Sequence, residues 1–493
     1  MSSILTNTSA MVALQTLKSI NANLSGVQNE ISTGKSISSA KDNSAIWAIS
    51  KVMESDVAGF KAISDSLSLG ESTVAVARQA SETVTDLLTQ MKGKIVAAQE
   101  ENVDRGKIQT DITALRDQIS SVVGAAQFNG LNMLSGTKDV NILSSLDRSN
   151  DGSVSASNIT VSRQDLTTSV GTFGTGTDLS ANSTASAGTV SATGNTAVLT
   201  LAAEADVSDN GYSLTVGGTT VSFASGDLTG DQDAAATAIS GAINALGLEG
   251  ITASVAGGAI TLTSTRAFEG VSVFASKDGA AIAFGGAATE IGERAENITF
   301  SASANVNEGD GYKAIVGGTT YSYVAGKGES FADVANGLKA AVDAGGISGV
   351  STKVTTNDSG QAVLKIDNSG ADLTLSESGA AGGVASGGLF GLGGINVNTD
   401  SGAKSALANI EVLINASVDA AANFGSAQGR IETQNSFIGK LSDSLKAGIG
   451  SMVDADMEAA SARLQALQVQ QQLGTQALSI ANQSPQSVLS LFR

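Results

Sequence analysis

The sequence predicts an α+β multidomain protein in which both termini form a long, coiled-coil-like α-helical bundle and β-rich outer domains are inserted between them. Three observations support this fold class. Apolar residues recur at helical spacing in both end blocks. The middle is dense in Thr, Ser, Val and Gly with short alternating runs, which is typical of strands. Residues 1–17 and 464–492 contain no charged side chain, which sets the two ends apart from the rest.

Composition excludes several classes of function. The chain has 493 residues, without a cysteine or a histidine, so disulfides, zinc–thiolate sites and the commonest general base are impossible. A formal net charge of -19 argues against nucleic acid and anionic membrane surfaces as partners. No run approaches the roughly 18 apolar residues of a membrane span. These features predict a non-enzyme without a cofactor or a bound metal.

Charge and glycine divide the chain into three blocks. Residues 1–136 hold 11 Lys/Arg and 13 Asp/Glu, and residues 400–493 hold 6 and 8, so each end has a net charge of -2. Residues 137–399 hold 11 basic and 26 acidic side chains, together with 41 of the 57 glycines. The two ends therefore resemble each other, and the middle is different in kind.

The first block predicts three long helices. A seam close to a heptad repeat ends where residues 32–34 interrupt it, and it consists of Leu14, Leu17, Ile20, Leu24, Val27 and Ile31. A second apolar pattern covers about 43–99 and a third about 103–123. The run Gln127-Phe128-Asn129-Gly130 then predicts a turn into a short hairpin.

The last block predicts helices over about 401–445 and 454–479. Val469, Leu473, Ala477 and Ile480 fall on one apolar face of the second helix, and the other face carries Gln468, Gln471, Gln472 and Gln476. A surface helix normally has Lys and Glu on its outer face. Because charge is absent from both faces here, we expect this helix to be surrounded by protein on most sides.

The middle block contains an internal repeat. The segment 211–223 recurs as 311–323, with eight of thirteen positions identical at an offset of 100. Each copy continues into a helical pattern and then a strand pair, which predicts two small ββαββ-like domains in series. The Gly-Gly pairs at 217–218 and 317–318 predict two-residue hairpin turns rather than phosphate-binding loops, since no lysine or helix start follows them.

Two acidic segments have a functional and a structural interpretation. Residues 147–152 resemble the start of a calcium loop, but position twelve is Asn158 instead of a bidentate Glu, so a turn-rich linker is favoured. Asp454, Asp456 and Glu458 form either a carboxylate cluster or the capped first turn of a helix, and the cap is favoured.

Short stretches in both end blocks resemble bacterial flagellins. The matching stretches are Glu30-Ile-Ser-Thr-Gly-Lys35, Ser39-Ala-Lys-Asp42, Gln127-Phe-Asn-Gly-Leu131, Gly425-Ser-Ala-Gln-Gly-Arg-Ile-Glu432, Val453-Asp-Ala-Asp456 and Ala481-Asn-Gln-Ser-Pro-Gln-Ser-Val-Leu-Ser-Leu491. They occur in the same order as in flagellins, at both ends of a dissimilar middle. The repeated module is similar to an insert found in some flagellins and hook-associated proteins.

The resemblance implies a domain plan of five segments. They are an inner-tube helix (1–42), the first half of a helical core domain (43–136), a surface-exposed β-rich variable region (137–400, repeats about 205–275 and 305–376), the second half of the core domain (401–452) and a second inner-tube helix (453–493). The expected self-assembly interface consists of Leu14, Leu17, Leu24, Val27, Ile31, Leu464, Leu467, Leu473, Ile480, Val488, Leu489 and Leu491. The core-domain motif residues are Asn129, Gly130, Gln428, Arg430 and Glu432.

The resemblance also implies function, location and partners. It implies a homopolymeric subunit of an extracellular flagellar filament for swimming, exported without a cleaved signal peptide, with terminal helices that fold on polymerisation. The implied partners are the flagellar export apparatus, an export chaperone, and cap and hook-associated proteins. Two alternatives stay open: a hook-associated junction protein, and a secreted adhesin-like module with exposed aromatic rings near Tyr312, Tyr321 and Tyr323.

One departure from the family concerns an innate immune receptor. Flagellins that this receptor detects carry a contacting Arg followed by Glu-Leu on the helix that corresponds to residues 87–99. Here the aligned residues are Lys92, Gly93 and Lys94. Lysine lacks the bidentate fork of arginine, and glycine weakens a helix by about 1 kcal/mol. The sequence therefore predicts weak or absent receptor activation.

Overall fold

A computed structural model describes residues 7–148, 153–285 and 289–490, without the side chains of residues 148 and 484–490. The helices are α1 (Thr8–Thr33), α2 (Ser44–Ala97), α3 (Arg105–Ala125), α4 (Gln232–Ala245), α5 (Phe331–Ala344), α6 (Asp400–Val453) and α7 (Met457–Ser490). The strands are β1 (Gln127–Phe128), β2 (Leu131–Asn132), β3 (Val140–Arg148), β4 (Val154–Val161), β5 (Ser183–Ala185), β6 (Thr189–Val190), β7 (Asn195–Thr200), β8 (Tyr212–Val216), β9 (Thr219–Phe223), β10 (Ile251–Ala256), β11 (Ala259–Ser264), β12 (Val271–Lys277), β13 (Ala280–Ile282), β14 (Glu290–Ile291), β15 (Glu296–Phe300), β16 (Gly311–Val316), β17 (Thr319–Val324), β18 (Val350–Thr356), β19 (Ala362–Asn368) and β20 (Leu373–Ala380).

The predicted fold class is confirmed, because long helices occupy both ends and strands occupy the middle. Two predicted boundaries are wrong: α6 continues to Val453 instead of ending near residue 445, and α7 continues to Ser490 instead of ending near residue 479. Glycine disfavours helix interiors, yet α6 includes both Gly448 and Gly450. A Cβ added at Gly448 would lie 3.5 Å from the Met53 side chain, so this glycine lies in a helix–helix contact. The candidate calcium loop falls largely on residues 149–152, outside the described residues.

The chain divides into two compact units. The first comprises residues 1–72, 141–161 and 427–493. In it the β3–β4 hairpin lies against α2, where glycines leave room for it. A Cβ built on Gly70 would come within 2.6 Å of Ile142, and one built on Gly59 within 3.1 Å of Leu146. Gln434 on α6 donates a hydrogen bond to the Ser144 carbonyl at 2.9 Å, which fixes the hairpin on its other side.

The second unit comprises residues 73–140 and 162–426. The apolar stripe predicted for α2 forms its helical core, together with residues of α3 and α6. The buried residues include Val74, Ala77, Val84, Leu87, Leu88, Met91, Ile95, Ile112, Ile119, Ile410 and Phe424. The buried Ser417 hydroxyl donates to the Ser81 carbonyl at 3.1 Å and accepts from Thr85 at 2.9 Å, so its polar atom is satisfied.

The two repeats fold alike, each with one helix and two three-stranded sheets at its centre. In the first repeat the sheets are β10-β11-β7 and β12-β8-β9, and in the second they are β18-β19-β15 and β20-β16-β17. As folded, each repeat begins with a strand that precedes the sequence match, β7 or β15. These strands share little sequence, so comparison of the chain with itself does not detect them. Strands β13 and β14 extend the first repeat, and β5 and β6 extend the second.

The glycine pairs form the predicted hairpin turns. Gly217 and Gly218 have φ values of 57° and 80°, Gly317 and Gly318 have 58° and 78°, and each pair joins adjacent antiparallel strands. This left-handed backbone suits a two-residue turn and favours glycine.

The tyrosines proposed as an adhesive patch belong to the interior of the second repeat. Tyr312 is 1% exposed and Tyr323 is 5% exposed. The Tyr312 ring packs edge-on against Phe300 and Phe331, with centroids 5.8 Å away in each case. Tyr321 is partly buried against the same cluster. The sequence feature that favoured an adhesin is therefore a hydrophobic core.

A buried polar network joins the second repeat to α6. Lys339 of α5 is 5% exposed, and its ammonium lies 2.8 Å from Asp343 and 2.6 Å from the side-chain oxygen of Asn409 on α6. Asn409 in turn donates to Asp343 at 3.0 Å, and Thr352 donates to the other carboxylate oxygen at 2.5 Å. Each charge thus has several partners in a region shielded from water.

Substitution of Lys339 by Met tests this network. The change leaves the Asp343 carboxylate buried without a cation, so the free energy of unfolding should fall by about 3–5 kcal/mol. The measurement is urea unfolding of the whole chain, monitored by tyrosine fluorescence. The matched control is Lys404→Met, which breaks an exposed Lys–Asp pair on α6 and should cost at most about 1 kcal/mol. Equal losses of unfolding free energy in the two variants would show that the buried pair stabilises the fold no more than the exposed pair does.

Candidate self-assembly surface

Two short connections hold α1 and α7 side by side. Gly34 ends α1 in the left-handed conformation, with φ 68° and its N–H bonded to the Glu30 carbonyl. The next residues run against the link between α6 and α7: Ser36 donates to the Val453 carbonyl at 2.7 Å, and Ala455 donates to the Gly34 carbonyl at 3.0 Å. These hydrogen bonds fix the end of α1 and the start of α7 relative to each other.

Carboxylates stabilise both connections. Asp42 accepts hydrogen bonds from Ser39 and Ser38 at 2.9–3.2 Å, and the backbone and hydroxyl of Ser39, then those of Ser38, hold the pKa of Asp42 below its ordinary value. Asp456 accepts from the backbone of Glu458 and Ala459 at 3.1 Å each, so it caps α7. The capping interpretation of this acidic segment is confirmed.

The two helices run antiparallel and bury a small apolar cluster. Val27, Ala460 and Leu467 are 5–7% exposed, and Ile20, Leu24, Ile31 and Leu464 pack against them partly buried. Toward the chain ends the contact becomes polar. Gln471 donates to Asn21 at 2.7 Å, and Asn7 donates to the Ala481 carbonyl at 2.8 Å. Gly474 allows close approach, since a Cβ there would lie 3.2 Å from Leu17.

The predicted apolar face of α7 points away from α1. Val469, Leu473 and Ile480 are 56%, 58% and 69% exposed; we call these three residues the α7 stripe. At about 100° per residue, the stripe lies roughly 200–240° around the helix from Leu467. Gln471, which the sequence placed on the opposite polar face, is instead on the side that contacts α1. On α1, Met11, Val12 and Leu14 are also exposed, at 63%, 63% and 44%.

The remaining predicted interface residues differ in how far they are described. Leu17, Leu24, Ile31 and Leu464 are half-buried within the helix pair. Val488 and Leu489 belong to the last turns of α7, but their side chains are not described, and Leu491 lies outside the described residues.

The core-domain motif residues serve local structure. Asn129 and Gly130 have φ values of 49° and 80° and form the turn of the predicted β1–β2 hairpin, which is confirmed. Gln428 donates to Glu432 at 2.9 Å one helical turn on, and Arg430 is exposed on the same helix.

Neither a metal site nor a membrane span is found among the described residues. Within that part of the chain, no three His, Cys, Asp or Glu side chains are grouped as metal ligands. Among the described helices, none combines the length and hydropathy needed to cross a bilayer.

Comparison with known proteins agrees with this arrangement of the ends. Residues 4–139 match the family model for the bacterial flagellin N-terminal helical region, and residues 407–492 match the model for the C-terminal helical region. Flagellin A of Rhizobium meliloti is 32% identical over 503 aligned residues, covering 100% of both chains. Flagellin FljM of Caulobacter vibrioides is 40% identical over 209 residues, covering 39% of this chain and 76% of its own.

Among solved structures, flagellar hook associated protein-3 of Legionella pneumophila has a TM-score of 0.34 and 10% identity, covering 82% of this chain and 98% of its own. The full-length similarity to the Rhizobium meliloti protein, together with the two family models at the ends, assigns the family. The chain belongs to the bacterial flagellins, the structural subunits of the extracellular flagellar filament.

Proposed function

We propose that this flagellin completes the hydrophobic environment of its α1/α7 pair only when copies assemble into the filament. The exposed α7 stripe carries the proposal. It is apolar, it lies on a helix without charged side chains between residues 464 and 483, and it faces away from the pair's own small core. A surface that is meant to stay in water normally carries charge. Here neighbouring copies supply the missing apolar partners.

The assembly contact is heterologous. A helical polymer grows without closing only if one patch of each subunit meets a different patch of the next. The α7 stripe and the exposed Leu14 of α1 make the contact with the neighbour. The half-buried residues of the predicted interface, such as Leu24 and Leu464, set the geometry of the pair.

Export and partners follow from the same marginal stability. The terminal helices bury little apolar surface, and the chain has no disulfide, so it can be unfolded and passed through a narrow channel. We infer export without a cleaved signal peptide through the flagellar export apparatus, with a chaperone that covers the terminal helices beforehand. Cap and hook-associated proteins would then meet the same helices at the ends of the filament.

The double substitution Leu473→Ser with Ile480→Ser tests the contact. Because both side chains are exposed in the subunit, its thermal unfolding should change by less than about 0.5 kcal/mol. Loss of two buried apolar side chains in the polymer should raise the critical concentration at least about 100-fold. Sedimentation and electron microscopy of seeded growth measure this value.

The control for this experiment is Gln472→Ser with Gln476→Ser, two exposed polar positions on the same helix, which should polymerise normally. Normal filaments from the Leu473/Ile480 variant would contradict the proposal. Long filaments grown from the purified chain would also exclude the junction-protein alternative, because such a protein forms only a ring.

Removal of residues 1–30 or 464–493 tests the dependence on the terminal helices. Either truncated chain should keep the β-sheet circular dichroism of the repeats, whose cores lie elsewhere in the chain, and should form no polymer. In the full-length protein, amides of α1 and α7 should exchange with solvent fast in dilute subunits and slowly in filaments. Terminal helices already protected in isolated subunits would overturn the proposal.

Weak activation of the innate immune receptor is a separate prediction. Lys92 on α2 pairs with Glu411 at 2.5 Å, and Lys94 pairs with Asp111 at 2.6 Å, so both cations already have partners in the subunit. A cell reporter treated with monomer should respond far less than to a flagellin that carries Arg-Glu-Leu at the positions of residues 92–94. Full potency would refute the prediction.

A further inference from the structure

A polar cleft of about 510 Å³ opens in the second unit, away from α1 and α7 in the sequence. One face of α6 forms its floor, with Val412, Leu413, Ala416 and Ala420. Residues 162–166, the loop 326–329 and part of α5 form its walls. A cleft of this size, with an apolar floor and a few convergent polar groups, is typical of a binding site.

Carboxylates outnumber cations around the cleft. Its acidic lining residues are Asp165, Glu329, Asp333 and Asp419, and its basic ones are Arg163 and Lys327. Lys327 is already paired with Asp139 at 2.6 Å.

Two of the four carboxylates are used locally. Asp333 caps α5 through bonds of 2.8 Å from Ser330, and Asp165 accepts from the Thr167 backbone at 2.8 Å. Glu329 and Asp419 form no ion pair within the described residues.

Glu329 is a half-buried carboxylate without a cation beside it in the described part of the chain. Both of its carboxylate oxygens lie 2.9 Å from the hydroxyl of Tyr323, which is 5% exposed. Burial raises the pKa of Glu329 above its ordinary value, because the charged form loses hydration without gaining a cation. A cation that entered the cleft would stabilise the charged form of Glu329.

The first repeat lacks the hydrogen-bonded pair of Tyr323 and Glu329 that lines the cleft in the second repeat. At the 100-residue offset, Tyr323 corresponds to Phe223 and Glu329 corresponds to Thr229. The rest of the hairpin is largely identical between the copies, so the fold of the module does not require the hydroxyl or the acid. Both appear in the copy whose loop lines the cleft.

Arg163 contributes an unpaired hydrogen-bond donor to the cleft. Its Nε is buried and has no hydrogen-bond partner, although its Nη1 donates to the Ser135 carbonyl at 3.1 Å. An unpaired buried donor is costly, so an occupant that brings an acceptor gains free energy there. The cleft thus favours a ligand with both a cation and a carbonyl oxygen. A free polyamine lacks the acceptor, and a neutral saccharide lacks the charge.

We propose that the cleft receives a lysine-bearing segment of a neighbouring copy of this chain in the filament, an inference that rests on the proposed polymerisation. The aliphatic stem of the lysine lies on the apolar floor of α6, and its ammonium reaches Glu329 and Asp419. A backbone carbonyl of the same segment accepts from Arg163. Lysines without an ion pair or ring contact in the described residues can supply the segment: Lys18, Lys41, Lys61, Lys138 and Lys440.

Carbodiimide cross-linking of mixed filaments tests the proposal directly. Filaments grown from equal amounts of ¹⁴N- and ¹⁵N-labelled subunits are treated with a water-soluble carbodiimide, which joins a carboxylate to a lysine amine in contact with it. We expect mixed-isotope peptides that link Glu329 or Asp419 to a lysine of another copy. Cross-links of these two carboxylates confined to single-isotope peptides, or none at all in intact filaments, would overturn it.

The double substitution Glu329→Gln with Asp419→Asn supplies a functional readout. It should raise the critical concentration about tenfold and weaken its dependence on salt, while the thermal stability of the subunit is not lowered, because the substitution removes a poorly compensated charge. The control is Glu308→Gln, an exposed carboxylate of the same repeat, which should have no effect. Wild-type assembly of the Glu329/Asp419 variant would refute the cleft contact. If the Leu473/Ile480 variant failed to assemble in the same experiment, the proposed function would still be supported.

Discussion

The structure depends on the pair of helices α1 and α7, whose shared face is buried while the apolar α7 stripe is exposed to solvent. The end of α1 and the start of α7 are fixed because Ser36 and Ala455 bond across the two connections. From there the helices share a cluster with three buried residues. Isolated helices are marginal in water unless an apolar face is packed. A pair with so small a core is therefore marginal by itself, and the proposed assembly would pack its exposed apolar stripe against neighbouring copies.

The distribution of charge along the chain suits close packing of copies at the terminal helices. The end blocks are nearly neutral, so copies approach each other there without strong repulsion, and most of the net charge of -19 resides in the middle. Two buried ion pairs lie within the middle block. Arg294 holds Asp367 through two bonds of 2.7 and 2.8 Å, and Lys339 holds Asp343. Acidic middle blocks of different copies repel each other, whereas the nearly neutral ends can pack closely in the proposed assembly.

The two repeats show how one module acquires different contacts. Ser240 and Asn244 on α4 occupy the places of Lys339 and Asp343 on α5, one position short of the 100-residue offset. In the first repeat Asn244 clamps the Ala253 backbone, with both bonds at 2.8 Å, and no charge is needed. In the second repeat the charged pair also reaches Asn409 on α6. The module is therefore altered where it meets the helices, and its core residues still serve the same fold.

Much of this organisation follows from the sequence alone. Periodicity located the long helices, Asn129-Gly130 and the glycine pairs located their hairpins, and absence of charge marked the terminal helices as unusual. Each of these signals is local, because it depends on backbone geometry or on a repeat within one element. The side of α7 that meets α1, the strands β7 and β15 that complete the repeats, and the pairing of Tyr323 with Glu329 were decided by tertiary structure. Packing between distant segments selects among faces that the sequence leaves equivalent, so only the folded chain shows that Leu467 is buried while Leu473 is exposed.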